Sequence, residues 1–200
     1  NEASAKELLG YYQAKLDEEA REAKKAGKLV CWSASVAPPE MCVAMDIAMV
    51  YPETHAAGIG ARKGSLDMLA VAEQKGYNLD ICSYARVNLG YMELLKQEAM
   101  TGETPEKLAN SPAARVPLPD LVITCNNICN TLLKWYENLA TTQCLYRDVA
   151  RNTSQLSLKK LSKSLKRFAE ENLIMTNSLR FRNRFSVQLS SGTELLHSLS

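Results

Sequence analysis

The stretch L-P-D-L-V-I-T-C-N-N-I-C-N, residues 118–130, decides how the rest of the chain is organised. Its apolar run, residues 121–123, lies between a Pro-Asp pair and a polar cluster, which is the pattern of a short buried strand. A helix is predicted directly afterwards, over residues 131–140. Open α/β sheets bind ligands at the carboxyl ends of their strands, so Cys125 lies where chemistry is usually done.

A second cysteine has the same setting. Residues 77–81 form a short apolar approach, Cys82 follows, and a helix is predicted from there to about residue 100. Two thiols at two strand-to-helix turns would supply half of a metal or cluster site. The alternative is that Cys82 and Cys125 are small core residues, and composition alone does not separate the two interpretations.

The upstream sequence alternates helices and strands with short connections. Helices are predicted over residues 4–26, 40–46 and 65–75, and strands over residues 29–32 and 47–51. This alternation indicates an α/β fold, with a parallel sheet and helices packed on its faces. We expect a three-layer arrangement of the Rossmann or flavodoxin type.

Two polar residues follow the first two predicted strands. Ser35 comes after strand 29–32, and Glu53 lies in a predicted turn, residues 51–55, that closes strand 47–51. Because the carboxyl ends of parallel strands meet at one edge, we expect both residues in the same layer as Cys82 and Cys125. The alternatives are a solvated turn carboxylate at Glu53 and a helix cap at Ser35.

Composition excludes several classes of protein. The 200 residues, 46% of them hydrophobic, support one domain or a domain and a fraction, and a net charge of +2 is too small to indicate nucleic-acid binding. No apolar run reaches the roughly 18 residues of a membrane span. The charged amphipathic amino terminus does not read as a signal peptide, so we expect a cytoplasmic protein. Six cysteines then indicate ligands, reactive thiols or packed core rather than disulfides, with Cys31 and Cys42 expected to be buried.

Two other kinds of site fit the sequence poorly. Cys82 and Cys125 match no zinc-ribbon spacing, and the pair Cys125 and Cys129 lacks a second pair. The glycines of G-I-G-A-R, residues 58–62, only partly resemble a phosphate loop, because they do not follow a strand directly. Sparse cysteines drawn from separate turns suit iron–sulfur ligation better.

Five short motifs resemble the 2-hydroxyacyl-CoA dehydratase family. They stand in the family's order, cover roughly residues 4–140, and are highly specific together. The resemblance implies that residues 1–140 form the amino-terminal α/β domain of an alpha-type subunit. The motifs are C-W-S-A-S at 31–35, Y-P-E-T-H-A-A at 51–57, D-I-C-S-Y-A-R at 80–86, C-N-N-I-C at 125–129 and K-W-Y-E-N at 134–138.

The resemblance implies a hydro-lyase that removes water from a short (R)-2-hydroxyacyl-CoA, with lactoyl-CoA as the best candidate. In the family, a separate ATP-hydrolysing activator passes one electron to a [4Fe-4S] cluster, and a ketyl radical of the thioester expels the 2-hydroxyl group before the 2-enoyl-CoA forms. The implied partners are a beta subunit, which completes a heterodimer, and the activator; neither nucleic acid nor a membrane is expected. By position, Cys82 and Cys125 match two cluster ligands, and Ser35 and Glu53 match residues beside the substrate hydroxyl, with Glu53 as acid/base group. The third ligand cysteine has no counterpart in this chain, and Cys129 is expected to pack within its helix.

Residues 141–200 depart from the family pattern. They carry ten Lys and Arg against four Asp and Glu, whereas residues 1–140 carry 14 against 18. We interpret them as a divergent, basic, Ser-rich tail of helical or irregular structure. The charge shift favours a reading-frame disruption or truncated gene over a genuine tail. Two alternatives for function remain: a catalytically inactive fragment that keeps fold and subunit contacts, and a related ATP-dependent acyl-CoA reductase.

Overall fold

The computed structural model describes residues 4–125, 129–149 and 185–189. Of the helices in these residues, none is long and apolar enough to cross a membrane. The elements are α1 (Ala5–Lys25), β1 (Val30–Ser33), α2 (Glu40–Ala44), β2 (Ala48–Val50), α3 (Pro52–Ala61), α4 (Ser65–Gln74), α5 (Ser83–Thr101), α6 (Glu106–Ala109), β3 (Leu121–Cys125), α7 (Asn130–Val149) and β4 (Phe185–Leu189).

The described strands form one sheet in the order β2-β1-β3-β4. The first three are parallel, with Trp32 opposite Val50 on one side and opposite Val122 on the other. β4 pairs with β3 in the antiparallel direction. Helices flank the sheet: α1 packs beside β1 and β2, and α7 beside β3. The prediction of an α/β fold with a parallel sheet and flanking helices is therefore confirmed.

Strands β1 and β3 are buried at every position. Continuous burial is typical of parallel strands whose two faces are both covered. The apolar run of residues 121–123 was the sequence signal for β3, and all three of its residues are buried in the core. The largest fully buried side chains of the described residues are Trp32, Tyr91, Tyr136, Ile59, Met68, Met92, Leu108, Leu121, Ile123, Leu139 and Val30.

Asp120 joins three elements at the amino-terminal edge of the sheet. Its carboxylate accepts hydrogen bonds from the Lys24 ammonium group at 2.7 Å and from the Val30 N–H at 2.9 Å. Its own N–H donates to the Val30 carbonyl at 2.7 Å. The ion pair between Lys24 and Asp120 is half-buried. These bonds therefore hold α1, β1 and β3 together at the point where β1 and β3 begin to pair.

The prediction of a turn at residues 51–55 is wrong, because these residues enter α3. Pro52 is the first helical residue, where its fixed φ suits the helix and its missing N–H costs nothing. Glu53 lies in the same first turn, where the helix dipole favours an acidic side chain. The glycines at 58 and 60 lie within α3, so they form no phosphate loop.

The prediction of a helical or irregular tail is wrong at residues 185–189. Residues 185–189 form β4, and their sequence F-S-V-Q-L alternates apolar and polar residues as a strand does. Helix α7 also continues past residue 140 to Val149. The helical stripe predicted over residues 155–175 lies outside the described residues. The interpretation of a frame-disrupted tail and the domain boundary at 140 stay predictions.

Candidate functional site

Three of the four predicted site residues come together at the carboxyl edge of the sheet. Strands β1, β2 and β3 are parallel, so Ser35 after β1, Glu53 after β2 and Cys125 at the end of β3 all lie toward the carboxyl edge of the sheet. A hydrogen bond from the Ser35 N–H to Oε1 of Glu53, at 3.2 Å, joins two of the three directly.

Both oxygens of the Glu53 carboxylate have a donor. Oε1 accepts from the Ser35 backbone, and Oε2 accepts from the Tyr136 hydroxyl at 2.8 Å. Glu53 is half-buried in the first turn of α3, Ser35 is exposed just after β1, and Tyr136 is buried on α7. The carboxylate is therefore held between three elements, with the exposed Ser35 side chain beside it.

Tyr136 is a lasting hydrogen-bond donor to this carboxylate. Burial raises the pKa of Tyr136 well above its usual range, and the negative charge of Glu53 and the hydrogen bond to it raise that pKa further. Tyrosinate at this position would be both buried and next to a carboxylate, which favours the protonated phenol as the hydrogen-bond donor.

Cys82 is the N-cap of α5, and the residues before it, 77–81, form no strand, contrary to the prediction. Two contacts indicate the direction of α5. Near its start, Asn88 accepts a hydrogen bond from the Trp135 indole N–H at 2.9 Å, and both side chains are buried. Three turns later, Glu98 pairs with Arg115, which precedes β3. Helix α5 therefore runs opposite to β3, and its start, where Cys82 is the N-cap, lies toward the carboxyl edge.

The cysteines near this edge differ in their surroundings. Cys125 ends β3 and is buried, with 2% of its surface exposed. Cys82 is exposed, and its thiol makes no capping hydrogen bond to α5. Cys129 is exposed, and its Sγ accepts the Leu132 N–H at 3.4 Å, so it acts as a cap for the first turn of α7.

Three other side chains that could bind a metal lie in the core. Cys31 and Cys42 are both buried, as predicted, and burial raises the pKa of Cys31 well above its usual range. His55 is also buried: its Nε2 bonds to the Ala114 carbonyl at 2.9 Å, and its ring packs edge-on against Tyr91. These contacts hold the imidazole in the interior, away from Ser35.

The donor set at the edge fits iron–sulfur ligation in its chemistry. Thiolates are the usual protein ligands of [4Fe-4S] clusters, and Cys82 and Cys125 supply two. Within the described ranges no group of three or more His, Cys, Asp or Glu side chains could hold a metal ion. Cys82 and Cys125 therefore belong to no complete ligand set among the residues that the structure describes.

The sequence did not predict the contacts of Tyr136 and Asn88, which support the candidate site. The helix after Cys125 has a buried face that includes Leu132, Trp135 and Tyr136. Buried tyrosines and tryptophans usually bond their polar atom to a partner. A tyrosine within an apolar helical face was therefore the available signal, but nothing in the sequence named Glu53 as its partner.

The class of protein follows from comparison with known families. A family model described as 2-hydroxyglutaryl-CoA dehydratase, D-component, matches residues 34–180. The chain belongs to this family, and the resemblance read from its motifs is confirmed.

Individual relatives narrow the comparison. Lactoyl-CoA dehydratase subunit alpha of Anaerotignum propionicum is 72% identical over 151 residues, covering 74% of this chain and 36% of the relative. The (R)-2-hydroxyisocaproyl-CoA dehydratase alpha subunit of Clostridioides difficile is 43% identical, covering 59% of this chain and 26% of the relative. The (R)-phenyllactyl-CoA dehydratase alpha subunit of Clostridium sporogenes is 41% identical, covering 62% of this chain and 27% of the relative. The chain thus spans about a third of the length of these relatives, or less.

Proposed function

We propose that this chain is the amino-terminal lobe, and only part, of the alpha subunit of an iron–sulfur 2-hydroxyacyl-CoA dehydratase. The reaction would be a radical elimination of water from a short (R)-2-hydroxyacyl-CoA, with lactoyl-CoA first among the candidates, to give the 2-enoyl-CoA. One observation carries the proposal: the Ser35 N–H donates to the Glu53 carboxylate at the carboxyl edge of the parallel strands, the edge at which β3 ends with Cys125. The 72% identity to a lactoyl-CoA dehydratase subunit supports the choice of substrate.

The fold supports this location. The strand order β2-β1-β3 is that of the first half of a flavodoxin-like sheet, in which the chain reverses direction across the sheet after β2. Right-handed crossovers on either side of such a reversal lie on opposite faces, which would give three layers. Ligands bind such sheets at the crevice between β1 and β3, and Ser35 and Cys125 follow or end those two strands.

Each residue at the edge has a role that its chemistry allows. Glu53 is the acid/base group, because its carboxylate is fixed by two donors and lies next to the exposed Ser35. The Ser35 hydroxyl is suited to donate a hydrogen bond to the substrate's 2-hydroxyl group as that group leaves. Together they would stabilise the departing hydroxide, and Glu53 in its protonated form would give it the proton that makes it water.

Cys82 and Cys125 would hold the [4Fe-4S] cluster. When bound, such a cluster supplies one-electron chemistry at low potential. Further ligands would come from residues beyond the described ranges or from a partner, which we infer to be a beta subunit in a heterodimer. A separate ATP-dependent activator would deliver the electron. A cluster of this kind requires reducing surroundings, for which we infer the cytoplasm.

Anaerobic turnover of lactoyl-CoA tests the proposal. The complete enzyme, assembled with its partner subunit, activator and ATP, is expected to form acryloyl-CoA. Glu53→Gln and Ser35→Ala should each lower kcat by about 100-fold or more, because an acid/base group or a positioned donor contributes roughly that much. Ser65→Ala, at the start of α4 and outside the site, is the matched control and should leave kcat unchanged.

The assay also separates the alternatives. A reduced acyl-CoA in place of the enoyl-CoA would identify an acyl-CoA reductase of related chemistry. Absence of any product, with the partner and activator shown to be active alongside a dehydratase relative, would favour an inactive fragment. Either result would overturn the proposed function.

A further inference from the structure

Tyr136 occupies a position that the proposed chemistry leaves unexplained. It lies in the second turn of α7, its side chain is 1% exposed, and its hydroxyl donates to Oε2 of Glu53 at 2.8 Å. The two residues are 83 positions apart in the chain. The bond therefore connects the helix that follows Cys125 with the first turn of α3.

We propose that Tyr136 is a positioning residue, whose hydroxyl holds the Glu53 carboxylate in its working orientation beside Ser35. The proposal rests on the proposed function, since it gives a role to the acid/base group of that reaction. Tyr136 would contact neither substrate nor cluster, and it would act only through Glu53.

The surroundings of the phenol restrict it to this partner. The neighbouring Trp135 ring lies 5.6 Å away, centroid to centroid, and its indole N–H is bonded to Asn88 on α5. Helix α7 is thus fixed on one side to α5 and on the other to α3. Because the Tyr136 ring is packed on this helix, its hydroxyl has little freedom to leave the carboxylate.

The geometry of the carboxylate explains why a second donor matters. The Ser35 N–H holds Oε1 through a bond of 3.2 Å, which is longer than the 2.8 Å bond to Oε2. Rotation about the terminal torsion of a glutamate is soft, so one weak bond does not define the plane of the carboxylate. Loss of the stronger bond would let Glu53 occupy orientations that turn it away from Ser35.

Tyr136→Phe tests this proposal, because phenylalanine keeps the ring and its packing. The first measurement is the ¹³C NMR signal of the Glu53 carboxyl carbon in glutamate-labelled protein, assigned by its absence in Glu53→Gln. Tyr136→Phe should shift that signal. Tyr91→Phe is the matched control: it removes another buried hydroxyl, which accepts the Val116 N–H, and it should leave the Glu53 signal in place.

The second measurement is turnover by the complete enzyme. Tyr136→Phe should lower kcat by about 10- to 100-fold with KM little changed, as expected for a misplaced catalytic group. In the Glu53→Gln background, the same substitution should cause no further loss, because its effect passes through Glu53. If Glu53→Gln leaves no turnover to measure, the NMR signal decides.

The results separate failure of this proposal from failure of the proposed function. An unmoved Glu53 signal in a folded Tyr136→Phe protein would overturn the role of Tyr136, as would an equal loss of kcat with and without Glu53. A shifted signal together with an enzyme that dehydrates no 2-hydroxyacyl-CoA would overturn the proposed function and leave the coupling of Tyr136 to Glu53 established.

Discussion

At the scale of single residues, the molecule separates its ionisable groups by environment. Glu53 lies at the sheet edge with two donors, whereas His55, two residues later on α3, is buried. The imidazole uses Nε2 to bond the Ala114 carbonyl, and its Nδ1 has no partner among the described residues. Because successive residues of a helix face different directions, one turn of α3 supplies both a site residue and a core residue.

The burial of His55 predicts a loss of stability in acid. Burial lowers the pKa of His55, and nearby Arg62 lowers it further, although the bond to Ala114 acts in the opposite direction. The free energy of unfolding keeps its full value above about pH 6.5. It falls as the pH drops toward the folded-state pKa of His55, because in that range only the unfolded chain takes up the proton. Each unit by which folding lowers the pKa of His55 corresponds to a loss of about 1.4 kcal/mol in the free energy of unfolding at acid pH.

Urea unfolding between about pH 7.5 and pH 5 measures this effect. His55→Gln, which can still donate toward the Ala114 carbonyl, should be less stable at neutral pH and less dependent on pH. The second histidine of the chain, His197, is present in both proteins, so the difference between them isolates His55. Equal pH dependence in the two proteins would refute burial of a neutral imidazole.

At the scale of elements, α4 and α5 cross very closely at Gly90. Among the glycines of the described residues, Gly90 leaves the least room for a side chain. A Cβ added at Gly90 would lie 2.0 Å from the backbone carbonyl oxygen of Met68, much closer than real atoms approach. Glycine at this position therefore allows the two helices to pack backbone against backbone. This contact holds α5, the helix whose N-cap is Cys82.

Gly90→Ala should destabilise the protein by about 1–3 kcal/mol or more, because the helices must separate to admit the methyl group. Gly10→Ala is the matched control, since it lies on α1 with nothing within 4 Å of the added Cβ. That substitution should be neutral or stabilising by up to about 1 kcal/mol. Urea denaturation of both variants checks the prediction, and equal effects would show that α4 and α5 do not cross at Gly90.

The elements also show what the sequence could predict. The apolar run before Cys125 and the stop at Gly76 each reflect a local preference, and β3 and α4 were found from such signals. The start of α3 was missed because its glycines and Pro52 resemble turn residues, and packing compensates for their low helix propensity. β4 was missed because its partner β3 lies 60 residues or more away in the chain.

The candidate site also combines features that local sequence predicts with features that only tertiary packing sets. Ser35, Glu53 and Cys125 could be placed at one edge because parallel strands align their carboxyl ends, and this regularity is visible in sequence. The bond between Tyr136 and Glu53 could not be predicted, because it depends on how α7 rotates about its axis when it packs beside α3 and α5. Such rotations are set by tertiary contacts, not by local sequence.

At the scale of the whole molecule, the candidate site draws on residues that lie far apart in the chain. Glu53 comes from α3, Ser35 from the end of β1, Cys125 from β3, Cys82 from the cap of α5, and α7 bonds to both neighbouring helices. A ligand at this edge would therefore contact segments that meet only in the folded protein. For that reason cluster binding is the property that depends most on the whole arrangement.

Iron and acid-labile sulfide content after anaerobic reconstitution, measured together with visible absorbance, tests the central claim most directly. The chain reconstituted with its partner subunit should bind a cluster, Cys82→Ala and Cys125→Ala should abolish it, and Cys129→Ala should retain it, because Cys129 caps α7 instead. Equal iron content in all three variants, whether lost or kept, would contradict the assignment of Cys82 and Cys125 as ligands.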